Sequence, residues 1–266
     1  MAYTILIVWS IIVIFPVWTM IVNSFKQKRD IFRTPFTFPD PATIEGYQNA
    51  LIKGRFDLYF RNSLIITIVS LVLILFLGSL AAYGIARWKS RASNILYFIF
   101  IAGLLIPIRL GTINIIQIVK ALGLIDRLIG LIPIYVAMGV PIAILVLTAY
   151  IRTLPQELMD AARIDGASEL KIYRTIVLPL IRPALSTVAI FNLIPVWNDF
   201  WFPLILIRSQ EYRTVPLGVS LLFGQYQTNW TNILAALSLA SIPIIILYIL
   251  MASQFIKGLT AGAIKG

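Results

Sequence analysis

Three stretches of the chain, Met1 to Phe25, Asn62 to Ala86 and Leu128 to Ile151, contain no Asp, Glu, Lys or Arg. Each exceeds the roughly 20 apolar residues that carry a helix across the hydrocarbon core of a bilayer, where backbone amides and carbonyls must be satisfied within the segment itself. The chain is therefore constrained to an all-α, polytopic membrane architecture, and its 266 residues count spans and not globular domains. Composition agrees. The residues are 59% hydrophobic and 12% charged, with a mean hydropathy of +0.91, whereas about a quarter of an ordinary soluble domain is charged.

The sequence holds no Cys and no His. Disulfides, thiolate nucleophiles, imidazole bases and the usual His or Cys ligand sets of zinc and haem are thereby excluded, so no catalytic residue and no metal site is assigned. A phosphate-binding Gly-x4-Gly-Lys-Ser/Thr loop does not occur either, so the chain offers no ATP site of that kind. The net charge of +11 is spread over short segments flanking the apolar runs and forms no stripe of the kind that binds nucleic acid. Membrane topology and anionic lipid headgroups account for it.

Six transmembrane helices are expected, at about Thr4 to Asn23, Asn62 to Ala86, Ala92 to Ile108, Leu128 to Ile151, Pro183 to Ile207 and Ile233 to Ile256. Between the third and fourth, Leu110 to Ile125 reads as a weakly amphipathic interfacial segment. Pro133 and Pro141 fall at depth in the fourth, which neighbouring helices make tolerable. The first span lacks a basic leader and a small-residue cleavage site, so it is read as retained. Residues 1–61 then form the first span and an external loop, 62–256 the core transmembrane domain, and 257–266 a cytoplasmic tail. Placing both termini in the cytoplasm leaves ten basic residues inside and twelve outside, which does not settle orientation by number. The assignment rests on the dense cluster Arg87-Trp88-Lys89-Ser90-Arg91, and the basic residues of the first external loop run against the positive-inside rule.

Between the fourth and fifth spans, residues 152–182 form a polar connection containing Asp160-Ala161-Ala162-Arg163-Ile164-Asp165-Gly166-Ala167 and then Ile176-Val177-Leu178-Pro179. Pro155 to Ile164 suits a short helix with Glu157 and Asp160 near its positively polarised start. Gly166 can take the left-handed conformation that stops that helix. Ser168 suits the N-cap of a second helix reaching Val177 and stopped by Pro179. The product is a helix-turn-helix knob outside the bilayer, where small side chains at 161 and 162 admit a partner's backbone and Asp165 offers a cap or an ionic contact. Read from residues alone, an amphipathic loop resting on the bilayer surface would look the same.

The spacing resembles the EAA loop of bacterial ABC importer permeases, Glu-Ala-Ala-x3-Gly-x9-Ile-x-Leu-Pro, with Asp160 in place of the glutamate. Arg61-Asn62-Ser63, Trp197-Asn198-Asp199-Phe200 and the closing run from Phe255 to Gly266 are similar to the carbohydrate branch of that family, which includes the smaller permease of the maltose importer. The resemblance implies a MetI-like fold and the permease subunit of an ATP-driven, binding-protein-dependent importer that moves a carbohydrate by alternating access. It implies as partners a distinct second permease in a heterodimer, two ATP-binding cassette subunits, an extracytoplasmic solute-binding protein, the sugar itself and membrane lipid. The implied location is the cytoplasmic (inner) membrane of a bacterium or archaeon. No cofactor is expected on this chain, since ATP and Mg would be used by the partner subunits. Coupling to those subunits is carried onto Glu157, Asp160, Ala161, Ala162, Arg163, Asp165, Gly166, Ala167, Ile176, Leu178 and Pro179.

A sugar is held by aromatic faces and by amides or carboxylates that meet its hydroxyls. Asn192, Trp197, Asn198, Asp199 and Trp201 are the candidates for the substrate path, because an intramembrane carboxylate is a functional candidate by default. The alternative is that Asp199 caps or pairs within the bundle and the tryptophans belong to an aromatic belt. In the connection 208–232, Gln225, Tyr226, Gln227 and Thr228 are candidates for contact with the binding protein, with an ordinary interfacial loop as the alternative. The rival function is a secondary transporter or channel for a small polar solute, which would carry several ionisable groups in its spans or paired repeats.

Overall fold

The structure is a computed structural model and describes residues 2–88, 90–222 and 229–263, with side chains described for 3–250 inside those bounds. Among these residues every regular element is helical. In chain order they are α1 (Ala2–Asn23), α2 (Lys28–Arg33), α3 (Glu45–Gln48), α4 (Phe56–Arg87), α5 (Arg91–Leu105), α6 (Thr112–Ala121), α7 (Ile132–Ile151), α8 (Gln156–Ile164), α9 (Glu169–Ile172), α10 (Leu178–Leu180), α11 (Arg182–Trp197), α12 (Trp201–Leu206), α13 (Val215–Ser220) and α14 (Trp230–Ala263). Four stretches, Tyr3–Asn23, Phe56–Arg87, Leu128–Ile151 and Trp230–Leu250, are long and apolar enough to cross a membrane. Two bent pairs, at 85° and 75°, bring the number to six if each pair is one span.

Local chemistry explains where the helices depart from the spans expected. The third ends at Leu105 because Pro107 excludes the helical conformation at the residue before it, and Ile106 accordingly sits at φ −89°, ψ 114°. The chain then turns through 85° toward α6. In α7, Pro133 lies in the first turn, where no amide hydrogen is required, and only Pro141 is interior. The uninterrupted fifth span expected from Pro183 to Ile207 is two helices: α11 stops at Trp197 and α12 begins at Trp201, with Asn198, Asp199 and Phe200 between them.

Pro179 does not stop the second helix of the knob, contrary to the sequence reading. The chain stays helical through α10, and the turn before it, Tyr173–Val177, is a wide π turn. A widened turn relieves the clash between a proline ring and the carbonyl one turn back, the usual reason that proline breaks a helix.

Contacts divide the chain into two units. The first comprises Met1–Ser63 and Arg208–Ile245, with an apolar cluster of Ala50, Phe56, Tyr59, Val215, Val219 and Ala236. Asn62 donates to the carbonyls of Glu211 (2.7 Å) and Arg213 (3.0 Å), and the Ser63 hydroxyl accepts from the Val215 amide at 2.8 Å. The Arg61-Asn62-Ser63 run thus anchors the segment that leads into α13. Lys26 is only 1% exposed, and its ammonium donates to the Thr34 carbonyl at 2.6 Å.

The second unit comprises Leu64–Ile207 and Ile246–Gly266. Its core includes Ile74, Ala82, Ala143, Leu147, Ile172, Val177, Ile181 and Val188, all buried. Small residues let these helices approach closely, as is common within membranes. A Cβ at Gly139 of α7 would collide with the side chains of Asn192 in α11 and Ile74 in α4, and one at Gly78 would lie 2.5 Å from the Ala143 Cβ.

Candidate functional site

The knob forms because each of its stops is local. Gly166 sits at φ +78°, the left-handed region where an ordinary side chain is penalised. Its amide and that of Ala167 return to the carbonyls of Arg163 and Ala162, both at 2.9 Å, closing the end of α8. Ser168 is extended, and its hydroxyl accepts from the Lys171 amide at 3.4 Å to open α9.

An ionic cluster holds the two short helices together and ties them to α4. Arg163 donates to Asp160 at 2.5 Å and to Glu169 at 2.7 Å. Glu169 also accepts from the Tyr83 hydroxyl at 2.6 Å and lies 3.9 Å from Arg87. The hydrogen bond from Arg163, followed by that from Tyr83, holds the Glu169 carboxyl below its ordinary range, against the opposing effect of burial. The same bond from the other side raises Arg163. Next to this cluster the Tyr173 hydroxyl meets that of Ser79 at 2.7 Å, out of solvent, and its ring lies 5.5 Å from that of Tyr83.

The residues assigned to coupling divide into two sets. Glu157, Asp160, Ala161, Asp165, Gly166 and Pro179 are exposed, and beside them Leu158, Ile164 and Leu170 are exposed apolar side chains. Ala162, Ala167, Ile176 and Leu178 pack instead against the buried core of the second unit. Arg163 lies between the sets and carries the ion pairs. The structure therefore splits the motif into an outward face and a row of anchors. Tyr83, Arg87, Glu169 and Tyr173 belong to this constellation, and sequence reading did not assign them. The only local signal was Glu169 in the first turn of a capped helix, while Arg87 was read as part of a membrane-flanking cluster.

The candidates around the fifth span do not form one surface. Asn192 is buried and donates to the Val188 carbonyl at 2.9 Å, and Trp197 is buried, whereas Asn198 is exposed at the end of α11. Asp199 accepts from the Tyr135 hydroxyl at 2.9 Å and from the amides of Trp201 (3.3 Å) and Phe202 (3.2 Å). That geometry is the capping arrangement weighed as the alternative, with a carboxylate on the first amides of α12. The Trp201 indole donates to Thr112 at 3.1 Å, and the Arg109 guanidinium lies 5.7 Å from its ring centre. Gln225, Tyr226, Gln227 and Thr228 lie outside the described residues, as do Lys89 and the side chains from Met251 onward.

These features define a polytopic helical membrane protein whose helix-turn-helix, α8 and α9, is bonded through polar side chains to the long apolar helix α4. The chain belongs to the family of binding-protein-dependent transport system inner membrane components, whose model matches residues 74–261. It is 34% identical to the multiple sugar-binding transport system permease protein MsmG of Streptococcus mutans, across 99% of this chain and 96% of the relative. It is 30% identical to the diacetylchitobiose uptake system permease protein NgcG of Streptomyces coelicolor, across 99% of this chain and 88% of the relative. In fold it is similar to a chain from the crystal structure of a bacterial ABC transporter involved in the import of the acidic polysaccharide alginate, with TM-score 0.82 and 22% identity over 96% of this chain and 95% of that one. The architecture is the MetI-like permease fold.

Proposed function

We propose that this chain is the permease subunit through which an ATP-driven, binding-protein-dependent importer moves a carbohydrate across the cytoplasmic membrane. The observation that carries the reading is the division of the loop motif: Asp160, Ala161 and Gly166 are exposed while Ile176 and Leu178 are anchored in the core. A protrusion rooted in this way transmits force, because a push on its exposed face reaches α4 and α7 through packed side chains. The sugar systems to which MsmG and NgcG belong support carbohydrate as the solute class.

On this reading the knob lies in the cytoplasm and seats on an ATP-binding cassette subunit, one of two in the assembly. A distinct second permease completes the path, and a solute-binding protein delivers the sugar from outside against Gln225 to Thr228. ATP and Mg belong to the partner subunits. Closure of those subunits would turn the knob and switch the path between outward and inward access.

The test combines partner identity and sidedness. Extraction in mild detergent should co-purify two nucleotide-binding subunits and a second permease. Ser168→Cys, the sole cysteine in an otherwise cysteine-free chain, should react with an impermeant thiol reagent in inside-out vesicles only. Labelling from outside intact cells would reverse the orientation, and purification as a stable homomer without nucleotide-binding partners would point to a secondary transporter or channel.

A further inference from the structure

At the root of the knob lies a cavity of about 490 Å³ that the coupling reading does not use. Four elements wall it: Tyr83 and Arg87 from the end of α4, Asn94 from the first turn of α5, Arg152 just beyond α7, and Gln156 and Met159 from α8. No residue of its lining is acidic. Two arginines therefore line one recess with the side-chain amides of Asn94 and Gln156, beside a phenol whose hydroxyl is given to Glu169, and among the described residues no acidic side chain lines the recess itself.

The two arginines differ in how far they are already committed. Arg87 reaches Glu169 only at 3.9 Å, and its Nε is buried with no hydrogen-bond partner. Arg152 lies 5.3 Å from the Tyr97 ring centre, which orients its planar head, and among the described residues no carboxylate comes within ion-pair distance of it. A guanidinium fork matches the oxygens of a phosphate in pairs, and a tetrahedral anion can accept from two forks and an amide at once.

We infer that this cavity binds a phosphate group, carried either by a phospholipid headgroup or by a soluble phosphate compound. The occupant would bridge the first turn of α8 to the ends of α4, α5 and α7, stiffening the joint between knob and spans. Its assignment depends on the walls of the cavity alone and not on which solute the protein transports.

The chain is purified with whatever partners co-extract, stripped of lipid in detergent, and followed by thermal unfolding against two probes at matched ionic strength. The probes are inorganic phosphate and a water-soluble short-chain phosphatidylglycerol. At least one should raise the unfolding midpoint saturably. Arg152→Gln should weaken that response by about tenfold or more, as expected for loss of a charge-assisted pair, and Arg152→Lys should recover part of it. A response to the lipid alone assigns the site to a headgroup, and a response to free phosphate assigns it to soluble phosphate compounds. If Arg152→Gln does not assemble, Asn94→Ala removes a donor contributed by another helix and should weaken the same response. Failure of both probes to stabilise the wild type, or equal responses from wild type and the variants, overturns the inference.

Discussion

Tyr83 donates its hydroxyl to Glu169 at 2.6 Å, and through that bond a span helix holds the first turn of α9. Tyr83→Phe keeps the ring packed against Tyr173 and deletes only the donor. Hydrogen bonds to charged groups contribute about 1.5–3 kcal/mol, and since Glu169 is half exposed the loss should be about 1 kcal/mol. On the proposed function, insertion and abundance should remain normal while sugar uptake per transporter falls and basal ATP hydrolysis by the partner subunits persists. Normal uptake in a variant shown to lack the bond would remove Tyr83 from the coupling path.

Acid should weaken the same joint. Arg163 and Tyr83 lower the Glu169 carboxyl, so its contribution to stability is complete above the ordinary carboxylate value of about 4.3 and is lost as the pH falls through the lowered one. The difference in unfolding midpoint between wild type and Glu169→Gln should thus be constant at neutral pH and shrink below about pH 4.3. A difference that grows on acidification would give the wrong sign and place the cause elsewhere.

Gly166, at φ +78° with open space around its Cβ position, is constrained by backbone conformation and not by crowding. Alanine there should cost about 1–2 kcal/mol for a left-handed non-glycine residue, and asparagine less. Proline cannot reach a positive φ and should leave the protein inserted but uncoupled. Equal uptake by Gly166→Pro and wild type at matched membrane abundance contradicts the coupling role. Asp160→Glu, which restores the residue of the family pattern, should be tolerated because the carboxylate is exposed and its partner Arg163 is long.

Asp199 serves three donors at once. Asp199→Ala strands the buried Tyr135 hydroxyl and should destabilise by about 1–3 kcal/mol, the cost of an unsatisfied buried donor. Asp199→Asn retains an acceptor oxygen and a side chain of equal capping quality, so its stability and its uptake per folded transporter should stay close to wild type. Uptake abolished in a stable Asp199→Asn variant would instead put the negative charge on the solute path.

The spans were legible from sequence because a charge-free run longer than the bilayer core needs only composition to recognise. Gly166 and Ser168 were legible because a left-handed turn and a helix cap are set within a few residues. Other features required the folded chain. Glu169 meets a tyrosine 86 positions away and Asn62 meets carbonyls 149 and 151 positions away, and no local pattern reports such pairings. Within the knob, sequence supplied the motif, but tertiary packing decided that Ala162, Ile176 and Leu178 turn inward while Asp160 and Ala161 remain outside. The π turn ahead of Pro179 and the break at Asn198 to Phe200 were decided in the same way. The physical reason is that a span is apolar on its lipid-facing and its protein-facing sides alike, so hydrophobic periodicity cannot distinguish them. Close packing through Gly78, Gly139 and Ala143, together with the few polar groups that must find partners, makes that choice.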